Sequence, residues 1–308
     1  MTAIVLTADL PEAVESRLRA AYDVRKLDLQ AMGVGPFLSE LGLPSAIVCI
    51  PGDPCGTAFA KGLPNSVKLV ASYSTGLDHI DVDALTARDI AVSNTPGVLT
   101  DATADIAMLL LLGAMRGAAP AAALIREQSW TGWAPDQIFG WDLAGRRLGI
   151  IGGGKIGAAT ARRAIAFGMS VAYWSRSPKP DMAEIGATFH AKLDDLLPVS
   201  DVISLHLPST PETQKLIDAA ALARLPRGSV LINTGRGDLL DDDAVVAALE
   251  SGHLAGVGLD VFRREPEVDP RYLAARNAFL LPHMGSATYE TRAAMGDMVL
   301  KSLERHLA

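Results

Sequence analysis

Cysteine is scarce in this chain, with only Cys49 and Cys55 among 308 residues. Two thiols are too few for a disulfide framework or a cysteine-rich zinc site, so we expect both to be reduced and no metal to be bound. Basic residues are also in the minority, since 28 lysines and arginines stand against 35 acidic residues, a net charge of −7. This balance argues against nucleic acid as a partner.

Long apolar runs are missing as well. The longest, residues 106–115, is roughly half the ~20 residues that a transmembrane helix needs, and it predicts a buried helix with no membrane partner. Residues 1–3 lead straight into an apolar run without a basic stretch before it, so we expect no signal peptide and a cytoplasmic location. The composition, 49% hydrophobic and 20% charged, is typical of an ordered globular protein, long enough for two domains.

Short β-branched runs alternate with helical stretches along the chain, the pattern of an α/β protein with parallel sheets. We predict five strands in the first half, at residues 4–6, 24–27, 46–50, 67–72 and 90–93. We predict six strands in the second half, at residues 147–151, 170–174, 202–207, 230–233, 256–261 and 278–281. Helices are expected at residues 12–22, 102–117 and 286–307, with a domain crossover near residues 94–97.

A glycine-rich turn lies in the middle of the chain. Gly152, Gly154 and Gly157 match the spacing G-x-G-x-x-G between an apolar run and a run of small residues. In that context the first glycine permits a tight turn, the second lets the backbone approach a pyrophosphate, and the third permits close packing of helix on strand. The pattern predicts a dinucleotide at a helix N-terminus; the alternative is a glycine-rich turn with no ligand.

The strand that follows this turn ends without an acidic residue. An Asp or Glu there would bind the ribose 2′-hydroxyl of NAD, but the chain has Ser175, Arg176 and Ser177, and its next carboxylate is Asp181. Arg176 and Lys179 could neutralise a 2′-phosphate, and Ser175 could donate to it. We therefore expect NADP(H) to be preferred and NAD(H) to be possible; the alternative is that Arg176 is an ordinary solvated charge and NAD binds.

Arg236, Glu265 and His283 each follow a predicted strand in the second half. Their side chains are therefore expected beyond the carboxyl ends of the strands, the edge at which open α/β sheets bind ligands. A dehydrogenase of 2-keto acids needs a cation for the substrate carboxylate, a proton donor for the carbonyl oxygen, and a carboxylate that keeps this donor protonated. The three residues supply one of each.

These motifs resemble those of the D-isomer-specific 2-hydroxyacid dehydrogenases, over nearly the whole chain. Besides the glycine-rich turn, the resemblance rests on LINTGRGD at residues 231–238, on GLDVF at 258–262 before Glu265 and Pro266, and on PHMGSAT at 282–288. Within the family the chain is most similar to the glyoxylate/hydroxypyruvate reductases and the 2-ketogluconate reductases, because of residues 282–288 and the segment WTGWAP at 130–135.

The resemblance implies two Rossmann-like or flavodoxin-like domains with parallel sheets and an active-site cleft between them. Residues 1–97 with 286–308 would form the substrate-binding domain, and residues 98–285 the dinucleotide-binding domain. The implied reaction is NADPH-dependent reduction of a small 2-keto acid, such as glyoxylate or hydroxypyruvate, to a D-2-hydroxy acid.

The resemblance also implies residue roles. Arg236 would hold the substrate carboxylate and polarise the keto oxygen, His283 would be the general acid in reduction, and Glu265 would support its imidazolium form. Backbone N–H groups of the loop Ser74, Thr75 and Gly76 would give the substrate carboxylate a second anchor. Further cofactor contacts are implied for Lys155, Ile156, His206, Pro208, Thr213, Thr234, Asp260 and Thr103.

Two of these implied roles have open alternatives. Thr103 could instead bond to its own helix backbone. Trp133 would reach the active site of a partner subunit and limit substrate size, which requires a homodimer; alternatively Trp130, Trp133 and Trp141 only pack an interface or a core.

The function has alternatives too. A nucleotide-sensing, co-repressor-like binding protein would share the fold and the triad, but the chain has no added recognition tail. The same fold could also act on 2-ketogluconate, phosphite or formate. Gly285 and Ser286 after His283 disfavour formate.

Overall fold

The computed structural model describes all 308 residues, which form two compact units. The first unit comprises Met1–Leu99 with Ser286–Ala308, and the second comprises Thr100–Gly285.

The chain forms twelve strands and fourteen α-helices. The strands are β1 (Ala3–Leu6), β2 (Asp23–Lys26), β3 (Ala46–Cys49), β4 (Leu69–Ser72), β5 (Ala91–Ser93), β6 (Arg147–Ile151), β7 (Ser170–Trp174), β8 (Thr188–His190), β9 (Val202–Leu205), β10 (Ser229–Asn233), β11 (Leu254–Leu259) and β12 (Ala278–Leu280). The helices are α1 (Glu12–Ala21), α2 (Leu29–Met32), α3 (Val34–Glu40), α4 (Thr57–Gly62), α5 (Val82–Thr86), α6 (Thr100–Met115), α7 (Ala118–Arg126), α8 (Lys155–Ala166), α9 (Pro180–Glu184), α10 (Leu193–Leu196), α11 (Ala219–Arg224), α12 (Asp242–Glu250), α13 (Pro270–Ala274) and α14 (Tyr289–Leu307).

The sheet of the first unit has the order β2-β1-β3-β4-β5, and every pair is parallel. This is the flavodoxin-like order of a doubly wound sheet. Its inner strands β1, β3 and β4 are apolar on both faces. In β1, Ile4 and Leu6 pack in one core cluster with α1 and α14, and Val5 between them packs in the other with α3, α4 and α5. Burial of both faces explains why these strands are continuous hydrophobic runs.

The sheet of the second unit has seven parallel strands in the order β12-β11-β10-β9-β6-β7-β8. Read from β8, this is the Rossmann order extended by one strand, with the order reversing between β6 and β9. Helix α6 is apolar on nearly all sides and is largely buried within this unit. It packs on α8, where Ala158, Ala161 and Ala164 are fully buried and their small side chains allow close approach.

The prediction of parallel α/β sheets is confirmed, and the ends of the predicted strands agree with the structure to within two residues. The prediction of six strands in the second sheet is wrong, because the edge strand β8 was missed. β8 has only three residues and is only partly buried, so it lacks the apolar run by which its neighbours were recognised. Helix α14 begins at Tyr289 rather than at residue 286, since the Thr288 hydroxyl accepts a hydrogen bond from the Thr291 N–H and caps it.

None of the helices is by itself both long enough and apolar enough to cross a membrane. Helices α6 and α7, which meet at a 75° bend, reach that length and apolar composition only when they are taken together.

Candidate active site

The predicted catalytic residues and most predicted cofactor residues lie at one edge of the second sheet. Loops at the carboxyl ends of β6, β9, β10, β11 and β12 meet there, next to the point where the strand order reverses. In open α/β sheets this is the place where ligands bind.

The glycine-rich turn after β6 fits a bound pyrophosphate. Gly152 has a φ of +103°, and a Cβ there would lie 2.7 Å from the backbone oxygen of His206. A Cβ on Gly157 would lie 2.3 Å from the Gly152 oxygen, whereas one on Gly154 would meet nothing within 4 Å. Backbone atoms therefore crowd Gly152 and Gly157, whereas the space beside Gly154 is open.

Helix α8 starts on this open side. Its N-cap is Gly154, which has no side chain to accept from the first-turn N–H groups of Lys155, Ile156 and Gly157. Unpaired N–H groups and the positive helix end form an anion site. The residues present therefore fit the diphosphate of a dinucleotide cofactor.

The end of β7 carries no carboxylate, as the sequence shows. Ser175 is buried and its hydroxyl donates to the Ser177 carbonyl at 2.6 Å, while the Lys179 ammonium donates to the Ser177 hydroxyl at 3.3 Å. Arg176 is exposed. In the loop after β9, a hydrogen bond from Thr210 lowers the pKa of Glu212, and the charge of Arg176 makes a smaller contribution in the same direction.

His206, at the end of β9, is a neutral imidazole held by two hydroxyl groups. Its Nε2 lies 2.9 Å from the Ser204 hydroxyl and its Nδ1 lies 3.2 Å from the Thr234 hydroxyl. Burial disfavours the charged ring and lowers the pKa of His206 to about 3. Thr213 donates to the carbonyl of the exposed Pro208 at 2.9 Å and so closes the loop that follows.

Arg236 lies in the turn after β10, half-buried, and Asn233 holds this turn in place. The fully buried Asn233 amide donates to the Arg236 carbonyl at 2.8 Å and accepts from the Gly235 N–H at 2.9 Å. The Arg236 guanidinium donates to the Gly235 carbonyl at 2.7 Å. No role was predicted for Asn233; an amide directly before a Thr-Gly-Arg turn is the signal that could have identified it.

Glu265 and His283 form a direct pair, with Nδ1 of His283 2.7 Å from Oε2 of Glu265. The other carboxylate oxygen accepts from the Phe262 N–H at 2.9 Å. Burial raises the pKa of Glu265, but the hydrogen bond and charge of His283, helped by the nearby Arg236 charge, outweigh it and lower the pKa overall. An ionised Glu265 only accepts, so the proton of this hydrogen bond is on Nδ1 and Nε2 is left for chemistry.

Asp260 is fully buried and shapes the loop that carries His283. Its two carboxylate oxygens accept from the N–H groups of Met284 at 2.6 Å and Gly285 at 2.8 Å, and its carbonyl accepts from the His283 N–H at 2.8 Å. His283 adopts a φ of +53°, a left-handed conformation that non-glycine residues seldom take. Three hydrogen bonds accepted by Asp260 thus maintain an uncommon backbone conformation at the predicted acid.

Thr103 and Trp133 lie in different surroundings. The Thr103 hydroxyl is buried and donates to the Gly285 carbonyl at 2.8 Å, so it bonds to the His283 loop and not to its own helix. Trp133 is 82% exposed, and Trp130 and Trp141 are also exposed, so none of the three packs a core of this chain.

The loop Ser74–Thr75–Gly76 belongs to the first unit, at the carboxyl end of β4. The Ser74 hydroxyl donates to the Gly76 carbonyl at 2.7 Å. Thr75 is tied to the end of β5: its hydroxyl donates to the Thr95 carbonyl at 2.8 Å and its carbonyl accepts from the Asn94 amide at 2.7 Å. These bonds give the loop a defined conformation.

Comparison with known proteins identifies the family of this chain. Residues 108–285 match the family model described as D-isomer specific 2-hydroxyacid dehydrogenase, NAD binding domain. The chain belongs to this family. It is therefore an oxidoreductase of the D-2-hydroxyacid dehydrogenase type, and its second unit contains the NAD-binding domain.

Similar proteins match this dehydrogenase over almost its whole length. It is 43% identical over 295 residues to a glycerate dehydrogenase of Hyphomicrobium methylovorum, covering 95% of this chain and 92% of that protein. It is 40% identical over 306 residues to a glyoxylate reductase of Thermococcus litoralis, covering 97% and 92%. A solved structure of an NADPH-dependent glyoxylate/hydroxypyruvate reductase of Sinorhizobium meliloti, in complex with NADP and malonate, is 34% identical with a TM-score of 0.88 and covers 100% of this chain and 94% of that one.

Proposed function

We propose that this dehydrogenase reduces small 2-keto acids, with glyoxylate and hydroxypyruvate as the preferred class, to D-2-hydroxy acids, and that NADPH is its preferred reductant. The observation that carries the proposal is the hydrogen-bonded pair of His283 and Glu265 beside the Arg236 turn. The names of the relatives, glyoxylate reductase and glycerate dehydrogenase, support the substrate class.

Each member of the triad has one task in the proposed mechanism. The Arg236 guanidinium binds the substrate carboxylate and polarises the keto oxygen, which a planar donor does better than an ammonium. Nε2 of His283 gives its proton to that oxygen as negative charge develops on it. Glu265 accepts from Nδ1, so it orients the ring and stabilises the imidazolium before transfer. When bound, the nicotinamide cofactor supplies the hydride.

Asp260 is proposed to act through His283, as a positioning residue. Asparagine in its place has only one acceptor oxygen. Its NH2 group would face the second backbone N–H, and because both groups are donors, one hydrogen bond of the His283 loop is lost. We expect Asp260→Asn to lower kcat/KM for the keto acid about 10–100-fold, since a hydrogen bond to a charged group is worth about 1.5–3 kcal/mol.

The pH profile distinguishes this positioning role from general destabilisation. Burial raises the pKa of Asp260 to about 6, partly offset by the two N–H donors and by the His283 charge, while Glu265 opposes ionisation. Activity of the unaltered enzyme should therefore fall as pH drops through about 6, where Asp260 gains a proton and loses an acceptor. In Asp260→Asn this acid limb should be absent; an unchanged limb contradicts the assignment.

NADPH preference is proposed because β7 is followed by two cations, Arg176 and Lys179, which could neutralise a 2′-phosphate. The end of the strand has no carboxylate that would bind the ribose 2′-hydroxyl of NADH instead. Replacing Arg176 by alanine should lower kcat/KM for NADPH about 10–100-fold, the value of one charge-assisted contact, and leave kcat/KM for NADH nearly unchanged. Steady-state kinetics with both cofactors measure the ratio. Arg162→Ala, an exposed arginine of α8, is the control. Equal losses with both cofactors would show that Arg176 does not read the 2′-phosphate.

A homodimer is proposed from the exposed apolar surface at residues 118–141. Helix α7 is apolar but has no buried residue, and Trp133 and Phe139 are 82% and 77% exposed. Exposed aromatic side chains in one segment are typical of an interface. Trp133 would belong to this interface, with the partner's active site as its second contact.

Light scattering after size exclusion should give twice the chain mass of 32.4 kDa. The double variant Ile125→Glu with Phe139→Glu is expected to run as a monomer, because it places charges in an apolar contact. Leu43→Glu, at an exposed leucine elsewhere, should leave the mass unchanged. A monomeric unaltered protein contradicts the proposal.

The product tests the proposed reaction itself. Hydroxypyruvate, glyoxylate and 2-ketogluconate are each supplied with NADPH, and the glycerate from hydroxypyruvate is resolved by chiral chromatography. We expect turnover of the two small acids and D-glycerate as the only enantiomer. L-glycerate, or turnover of 2-ketogluconate alone, would contradict it.

A further inference from the structure

Both cysteines of the chain lie in one buried cluster of the first unit, outside the site described above. Cys49 ends β3 and Cys55 lies in the loop that follows, and both side chains are fully buried. Asp53 lies between them in sequence and is 1% exposed. The two sulfur atoms and one Asp53 carboxylate oxygen all lie within 4.8 Å of one another.

The Asp53 carboxylate is only half satisfied. Its Oδ2 accepts from the Thr7 hydroxyl at 2.5 Å and from the Ile50 N–H at 2.8 Å. Its Oδ1 is buried and has no hydrogen-bond partner. A buried carboxylate oxygen without a partner is unfavourable, and here its neighbours include an apolar core cluster. A cation at this position would remove that cost.

We propose that Cys49, Asp53 and Cys55 form a binding site for a zinc-type divalent cation. Two thiolates and a carboxylate are ligands that Zn²⁺ and Co²⁺ accept in tetrahedral geometry, and the spacing of the three atoms suits a shared ion. Binding releases the two thiol protons to solvent, so the ion is held by three negative ligands. The expectation from cysteine number alone was that no metal is bound; the unpartnered aspartate oxygen is what changes that inference.

The loop and its surroundings are suited to a fixed site. Pro51 and Pro54 restrict the chain between the ligands. The His79 imidazole lies near Cys49 but is not one of the three groups whose ligand atoms lie within 4.8 Å of one another. Nε2 of His79 also lies 3.2 Å from the Ser72 hydroxyl, which lies 2.7 Å from the Ser74 hydroxyl. Cys49 pairs with Ser72 at the end of β4, so an ion held by Cys49 would stabilise the strand end from which the Ser74–Gly76 loop extends.

The test uses the full-length protein, produced and kept under reducing conditions with Co²⁺ as the probe. We expect one Co²⁺ per chain, with the thiolate-to-cobalt charge-transfer absorption and the visible bands of tetrahedral Co²⁺, and displacement of both by Zn²⁺. Loss of an outer-sphere partner of a metal ligand lowers metal affinity ~10–100-fold. Asp53→Asn and Cys55→Ala each alter a ligand itself, so each should weaken Co²⁺ binding by at least that factor. Asp83→Asn, an exposed acid of α5, should bind Co²⁺ like the unaltered protein.

A second measurement needs no variant, in case the substitutions prevent folding. Removal of metal from the unaltered protein with a chelator should lower its Tm, and Zn²⁺ should restore it, because an ion that binds only the native state stabilises it. Three results would overturn the site: no thiolate-to-cobalt absorption in the reduced protein, undiminished binding by Asp53→Asn, or a Cys49–Cys55 disulfide in protein isolated without air.

Discussion

Replacement of His283 by glutamine is expected to lower kcat/KM for glyoxylate about 10²–10⁴-fold, the usual contribution of a positioned general acid. Glutamine retains a hydrogen-bonding group near Glu265 but cannot deliver a proton at the position of Nε2. The loss should fall mainly on kcat, and the Kd for NADPH should change little, because His283 follows β12 and the glycine-rich turn follows β6. Steady-state kinetics and cofactor fluorescence titration measure the two quantities.

Glu265→Gln is the matched comparison for this prediction. The glutamine carbonyl can still accept from Nδ1 of His283, but the negative charge that stabilises the imidazolium is gone. We expect a smaller loss than in His283→Gln, because the ring keeps its hydrogen-bond acceptor and its proton donor and loses only the negative charge beside it. A His283→Gln enzyme within about threefold of the unaltered rate is incompatible with proton transfer by this residue.

Replacement of Arg236 by lysine is expected to lower kcat/KM about 10²–10³-fold, the loss typical of one donor removed from a developing oxyanion. Lysine keeps the charge but cannot form two parallel hydrogen bonds to a carboxylate while polarising the keto oxygen. The effect should appear in KM for the keto acid as well as in kcat, because the same guanidinium binds the substrate in the ground state.

Arg264→Lys provides the control for that variant. Arg264 is exposed and lies in the loop after β11, next to Glu265 in sequence, so it reports any effect of the same substitution on the surrounding charges. We expect its kinetics to match the unaltered enzyme. If Arg236→Lys also retains full activity, the carboxylate of the substrate is bound by some other group.

Local sequence patterns were sufficient to place the main features of the fold and of the candidate site. Gly152 and Gly157 have spacing that only a tight strand-to-helix turn explains, and the structure shows backbone atoms within 3 Å of where their side chains would begin. Arg236, Glu265 and His283 follow three strands that are neighbours in the sheet, and parallel strands bring their carboxyl ends together.

Other features depend on contacts that a sequence does not show. The Asn233 amide donates to its own turn, and the N–H groups of residues 284 and 285 donate to the Asp260 carboxylate. These contacts depend on the local path of the backbone, which no spacing of residues in the sequence predicts. The edge strand β8 has three residues and pairs on one side only, so its apolar signal is weak. The proximity of Cys49, Asp53 and Cys55 likewise requires the turn that Pro51 and Pro54 shape.

The most direct test of the central claim is a single-turnover measurement with the unaltered protein, in which excess enzyme binds NADPH and is mixed with glyoxylate. The account predicts rapid loss of the NADPH absorbance, complete within one turnover, and none when phosphite or acetate replaces the keto acid. Tight NADPH binding without oxidation by glyoxylate or hydroxypyruvate would contradict it, and would instead favour a nucleotide-sensing protein that has kept the triad without the reaction.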